Sequence, residues 1–358
     1  MAGLYVHIPF CKKRCLYCDF FSTTLLERRE VYVEALLKEW DTRKREIKEP
    51  IRTIYLGGGT PSTLDARDIQ RLLEAIGTQE TEEITMEINP GDASPEYLKA
   101  LRQAGINRLS IGIQSFKDEQ LRLLGRRHTA VQAIEAVHQA QQAGFDNISI
   151  DLMYALPGQT KGIWNADISI ALHLGVQHIS SYGLMYEEGT ALSRMRDLGQ
   201  IEAIDEDTEN EMYDMLCKRL KKAGFVHYEV SNFALPGYEA KHNSSYWNNT
   251  PYIGIGAGAH SYVGNVRSWN PNNLDAYIRG IQSGTLRRES ETLTEQDLYN
   301  ERIMLGLRTS QGVRREEIQA NIDHWLENKL LCETQDGRIV ATQKGIHILN
   351  VIIEELMI

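Results

Sequence analysis

The chain has 358 residues, 42% of them hydrophobic and 25% charged, with a formal net charge of −10 at pH 7. That length is long for one core, so one large globular domain with one or two additions is expected. The acidic balance argues against nucleic acid as a main partner, and no apolar run approaches a transmembrane segment in length.

A first strand is expected over residues 4–8, and Pro9-Phe10 lead straight into Cys11, Cys15 and Cys18. The C-x3-C-x2-C spacing places three thiolates on one short loop with no fourth behind them. Three thiolates hold three corners of a cubic 4Fe-4S cluster and leave one iron open, as S-adenosylmethionine (SAM) requires when it chelates a cluster. A zinc site would want four ligands, and His7 is the only nearby candidate for the fourth. Three clustered cysteines cannot all pair as disulfides, and no signal peptide is read at the start of the chain. A labile cluster implies a reducing compartment, so a cytoplasmic location is expected. Cys217 and Cys332 stand alone in amphipathic stretches and read as small core residues.

Further strands are expected over residues 53–56, 84–88, 108–113, 147–152 and 177–184. Between the first two strands, Val33, Leu36, Leu37 and Trp40 fall on one helical face; between the fourth and fifth, Val131, Ile134, Val137 and His138 do the same. Gly105 and Gly144 follow helical stretches and precede strands. Strands alternating with helices imply an α/β fold with parallel pairing, here a partial (β/α)6 TIM-like barrel with its chemistry at the carboxyl ends of the strands. Residues 205–223 read as a helix buried through Met212, Met215, Leu216 and Leu220. Residues 225–230 read as a strand and 231–269 as a polar, aromatic, glycine-rich loop region. Beyond residue 286 come helices, a short strand at 338–341 and a last helix with Ile346, Leu349, Ile353 and Leu356 on one face. The expected division is a barrel over 1–185, an α/β extension over 186–285 and a small, mainly helical, winged-helix-like C-terminal domain over 286–358.

Polar groups gather at the predicted strand ends. Gly57-Gly58-Gly59-Thr60-Pro61-Ser62 closes the second strand and lets backbone approach a ligand. Glu87, Gln114 and Asp151 end the next three, and their oxygens suit ribose hydroxyls and an ammonium group. Arg126 can meet a carboxylate with two parallel hydrogen bonds.

The run from Leu4 to Cys11, the triple glycine, the strand Ser110-Ile111-Gly112-Ile113-Gln114-Ser115-Phe116 and the stretch from Asp151 to Thr160 together resemble the oxygen-independent coproporphyrinogen III dehydrogenase family of the radical SAM superfamily. The resemblance covers nearly the whole chain. It implies a 4Fe-4S cluster on Cys11, Cys15 and Cys18. It also implies SAM contacts at Tyr5, Tyr17, Gly58, Gly59, Thr60, Glu87, Gln114, Arg126 and Asp151, with Tyr182-Gly183 and the segment from Gly256 to Ser261 close to SAM.

Two departures point to a haem-chaperone branch of that family. The dehydrogenases carry a fourth cysteine two places after the third, where this chain has Phe20, and an N-terminal extension, where this chain has Tyr5 almost at its start. Cys15 to Ser22 instead resembles the chaperone form, as does His242-Asn243-Ser244-Ser245-Tyr246-Trp247, a pattern associated there with haem. An imidazole can ligate haem iron, and the rings of Tyr246 and Trp247 can line a porphyrin face, although a histidine beside aromatics is more often a packed loop. The resemblance thus implies a chaperone that binds haem and passes it to apo-haemoproteins, membrane-associated respiratory ones foremost. Oxidative decarboxylation of porphyrinogen propionates is the enzymatic rival, and whether the chain is an enzyme at all stays open. A cluster loop so near the N-terminus could also sit at a homodimer interface.

Overall fold

The computed structural model describes every residue, Met1–Ile358. Its centre is six strands, β1 (Ala2–Ile8), β2 (Ile51–Gly58), β3 (Glu83–Ile88), β4 (Arg108–Gln114), β5 (Ile148–Tyr154) and β6 (His178–Gly183), each parallel to the next. Helical crossovers join them, as parallel pairing demands. β1 and β6 do not meet, so the barrel stays open and partial, as the alternating pattern implies.

Both edges of this sheet are extended. On β6 lie β7 (Val226–Glu229) and β8 (Asn232–Ala234); on β1 lies β9 (Tyr252–Ile255), followed by β10 (His260–Val263), β11 (Val266–Trp269) and β12 (Glu289–Thr292). The expectation of a loop region over residues 231–269 is therefore wrong. Four short strands and the helix Lys241–Trp247 occupy it. No strand there exceeds 4 residues, glycines and asparagines interrupt the stretch, and Gly254 admits the His260 carbonyl where a Cβ would stand 2.0 Å from its oxygen.

The central strands alternate. Leu4, Val6, Ile54, Leu56, Ile111, Ile150 and Ile179 are fully buried beneath the helices. Their neighbours Tyr5, Tyr55, Glu87, Arg108, Ser110, Asp151 and Ser180 face a cavity inside the barrel. A closed barrel fills its interior with branched apolar side chains; this one presents hydroxyls, carboxylates and a guanidinium.

The helix Lys241–Trp247 packs on the amino-terminal half of that concave face. Glu83, 4% exposed, accepts from the backbone N–H groups of Lys241 and His242, each at 2.9 Å. These are orphan donors of the helix's first turn, and a carboxylate there also meets the positive end of its dipole. A second buried carboxylate, Glu39, fastens the outer layer. It accepts from Arg43 (2.9 Å), Gly256 N (2.8 Å), Asn270 (2.8 Å) and Tyr277 OH (2.7 Å).

A separate apolar core, with buried residues from Tyr299 to Leu356, organises the C-terminal region. Helices Glu295–Gly306 and Leu349–Leu356 pack there with a three-stranded antiparallel sheet of β13 (Val313–Arg314), β14 (Leu331–Glu333) and β15 (Arg338–Ala341), in the order β13-β15-β14. Two local readings change. Cys332 is exposed, because it points outward from β14. In Ala130–Gln142 the buried side is Ala133, Ala136, Val137 and Ala140, and Val131 is exposed; small side chains let this helix lie close to the sheet. No helix is long and apolar enough to cross a membrane.

Glu83→Ala would orphan the two N–H groups at the start of Lys241–Trp247. It is expected to lower stability by about 2 kcal/mol and to speed amide exchange in residues 241–247. Unchanged exchange there would mean that the helix is held by its side chains alone.

Candidate functional site

A cavity of about 530 Å³ opens at the carboxyl ends of the central strands. Cys11, Cys15 and Cys18 line it, and so does every residue expected to contact SAM: Tyr5, Tyr17, Gly58, Gly59, Thr60, Glu87, Gln114, Arg126 and Asp151. Tyr182 and Gly183 line it too. The segment from Gly256 to Ser261 does not. Its backbone turns toward the outer layer, where Gly256 N and Ala257 N donate to Glu39 and to Tyr32 OH.

The cysteine loop is tied down at several points. Cys11 N donates to Thr23 O (2.8 Å), Leu16 N to Leu124 O (3.0 Å) and Leu192 N to Leu16 O (2.8 Å). Asp92, whose side chain is almost fully buried, receives Lys12 Nζ (2.7 Å), Ser62 Oγ (2.9 Å) and the guanidinium of Arg127. One carboxylate thus joins the cysteine loop, the segment after the triple glycine and the Arg126-Arg127 turn. Lys12 and Arg127 are thereby partners of the motifs they flank, while Lys13 and Arg14 stay exposed.

The donor set fits a cluster with an open corner. Cys11 Sγ lies 3.4 Å from Thr60 Oγ1, and Arg126 donates to Cys15 Sγ at 3.3 Å. Burial pushes the Cys11 thiol up and the Cys18 thiol up to about 11. Iron taking the proton's place on such thiols offsets that cost. No group of His, Cys, Asp and Glu converges on a single metal ion. A cubane distributes its irons over separate corners and needs no such convergence. His7 is not available as a fourth ligand: its Nε2 donates to Phe21 O (3.1 Å), and its Nδ1 accepts from Tyr5 OH (3.0 Å). Burial lowers its pKa to about 4.

The strand ends carry the remaining chemistry. A Cβ on Gly58, where φ is +114°, would stand 2.6 Å from the His7 ring, and one on Gly59 would stand 2.7 Å from the Pro9 carbonyl. Only glycine leaves room for the ring at Gly58 and the carbonyl at Gly59. Glu87 accepts from Tyr55 OH (2.8 Å) and Gly58 N (3.1 Å), and burial raises its pKa to about 7. Asp151 accepts from Ser110 Oγ (3.1 Å) and is raised to about 6, again chiefly by burial. Gln114 has φ of 74°, next to a shift of register between β4 and β5. A bulge of this kind re-aims a side chain, and here it aims one into the cavity. The adjacent Ser115 Oγ (2.8 Å) and Phe116 N (2.9 Å) donate to buried Asp167, which locks the turn.

The His-Asn-x-x-Tyr-Trp helix lies beneath the cavity and reaches its lining only through Asn243. His242 is fully buried. Its Nδ1 is 2.8 Å from Thr53 Oγ1 and its Nε2 is 2.8 Å from Tyr246 OH. Burial, reinforced by nearby Arg108, lowers its pKa to about 3, so the ring is neutral. Its face stacks on Tyr55, with centroids 5.3 Å apart. Neither Tyr246 nor Trp247 lines the cavity, whereas Asn243 does. Arg108, Ser110, Ser180, Phe20 and Met185 also line it without having been singled out from the sequence. Strand alternation back from Gln114 would have found Ser110 and Arg108; no local signal marked the others.

The open barrel and its three-cysteine rim define a radical SAM protein, and the model of the radical SAM superfamily matches residues 5–167. Over its whole length the fold is similar to that of HemN, the coproporphyrinogen III oxidase of Escherichia coli described as a radical SAM enzyme. The TM-score is 0.83 with 22% identity, covering 99% of this chain and 90% of that one. The heme chaperone HemW of Lactococcus lactis is 38% identical over 99% of this chain and 97% of the relative. That of Bacillus subtilis is 37% identical over 88% and 85%. The chain belongs to the HemW family.

Asp92→Asn removes the charge that holds Lys12 and Arg127. It is expected to cost about 2–3 kcal/mol of stability and to lower the iron retained after anaerobic reconstitution. Cys11→Ala is expected to retain no iron–sulfur absorbance. A Cys11→Ala protein that keeps its cluster would overturn the ligand assignment.

Proposed function

We propose that this protein is a haem chaperone that carries a 4Fe-4S cluster on Cys11, Cys15 and Cys18, binds SAM beside it and passes haem to apo-haemoproteins in the cytoplasm, membrane-bound respiratory ones foremost. One observation carries the reading. A single cavity joins the three-cysteine loop, the polar strand ends and the floor made by the His242 helix. Membership of the HemW family, whose bacterial relatives bear the name heme chaperone, supports it.

The cluster supplies an open iron and a reducing electron when bound. The chain's own side chains do the rest. Arg126, whose two terminal nitrogens donate to Cys15 Sγ and to the Gly112 carbonyl, would turn them to the SAM carboxylate. Glu87 accepts the ammonium group, and Asp151 and Gln114 hold the ribose hydroxyls. Tyr55 connects this half of the site to the haem motif, since its hydroxyl donates to Glu87 while its ring stacks on His242. His242 becomes an iron ligand only when Thr53 or Tyr246 releases one of its ring nitrogens. Until then it holds the floor in place.

Anaerobically reconstituted protein is expected to bind haem stoichiometrically and to form no protoporphyrinogen from coproporphyrinogen III with SAM and reductant. Turnover of the porphyrinogen would make the protein the enzyme instead. His242→Ala is expected to weaken haem binding and leave the cluster intact; unchanged affinity would remove His242 from the haem site.

SAM binding should also depend on pH. With its pKa raised to about 7, Glu87 is neutral below that pH and loses its attraction for an ammonium group. SAM affinity is expected to fall about tenfold from pH 8 to pH 6. Glu87→Gln should bind weakly at both, and a wild-type affinity flat across this range would exclude Glu87 as the ammonium partner.

A further inference from the structure

Arg108 begins β4 and shares the concave face with Ser110, Gly112 and Gln114. It lines the cavity and yet is only 1% exposed. Its Nε has no hydrogen-bond partner, and no carboxylate comes within ion-pairing distance of the guanidinium. Asp151 feels its charge from farther off, while its own Oδ1 accepts from Ser110. A buried cation is costly unless paired, so an unpaired guanidinium facing a cavity marks a place for an anion.

SAM brings one carboxylate, which the reading above gives to Arg126 beside the cysteine loop, whose guanidinium already has partners in Cys15 Sγ and the Gly112 carbonyl. Arg108 is left over, deeper in the barrel, next to the floor where Asn243 lines the same cavity. The other end of the cavity is different in kind. Phe20 and Met185 line it while standing 66% and 69% exposed, and Tyr182 is 41% exposed. Exposed apolar side chains at a rim that also carries Lys13, Arg14 and Asp19, above a cationic floor, match a ligand with a broad apolar body and an anionic arm.

We propose that Arg108 is the seat for a second carboxylate, carried by an amphiphilic ligand whose apolar body rests against Phe20, Tyr182 and Met185. Resting on the haem-carrier reading above, the inference assigns that carboxylate to a haem propionate. The guanidinium fork meets both oxygens of a carboxylate at once, which a lysine ammonium cannot do.

The test uses the full chain with its cluster reconstituted, titrated anaerobically with haem and with haem dimethyl ester, in which both propionates are blocked. Wild type is expected to prefer haem over the ester by about tenfold or more. Arg108→Met should bind both alike, at the affinity wild type has for the ester, and Arg108→Lys should recover part of the preference. Equal binding of both probes by wild type, or a preference undiminished in Arg108→Met, overturns the assignment. The wild-type comparison needs no variant, so it stands even if Arg108→Met does not fold. No haem binding by wild type would instead overturn the functional reading, and this inference with it.

Discussion

A parallel sheet whose concave face is polar cannot collapse onto itself. In this protein helices cover the convex face and bury an uninterrupted apolar layer, while Tyr5, Tyr55, Glu87, Arg108, Ser110 and Asp151 turn the other way. Apolar burial drives the first arrangement. The second leaves groups that must find water, ligands or one another. The barrel therefore stays open at its seam, and the helix Lys241–Trp247, capped by Glu83, closes the amino-terminal end. The cavity is the space that remains.

The cysteine loop depends on the same economy of polar groups. Burial disfavours free thiolates at Cys11 and Cys18, and the loop's backbone is fixed by hydrogen bonds to segments far away in sequence. Asp92 does with one carboxylate what several loop contacts would do separately, since it draws Lys12, Ser62 and Arg127 to a single point. The loop thus arrives at the cavity rim in one geometry, beside the glycines whose missing side chains let the chain pass close by.

Tyr55 gives the two halves of the site a physical link. Its hydroxyl is bonded to Glu87 near the triple glycine, and its ring covers His242 on the floor. A change at either end must be accommodated by the same aromatic side chain.

Much of this was legible in the sequence, for local reasons. The cysteine spacing, the triple glycine and the polar residues at strand ends are short-range signals, and the strand–helix alternation placed all six central strands within a few residues. The edge strands between Asn232 and Trp269 were hidden because they are 3 or 4 residues long and set among glycines, asparagines and turn residues. The histidine of the aromatic motif stood out as a candidate haem ligand, and only the folded chain brings Thr53 to one of its nitrogens and leaves Tyr246 on the other. Arg108 read as an ordinary strand residue until burial and the absence of a partner set it apart. Residue type and spacing determined what chemistry the chain can carry. Which groups are paired, buried or left facing the cavity was decided by tertiary packing, because desolvation and hydrogen-bond partners come from segments distant in sequence.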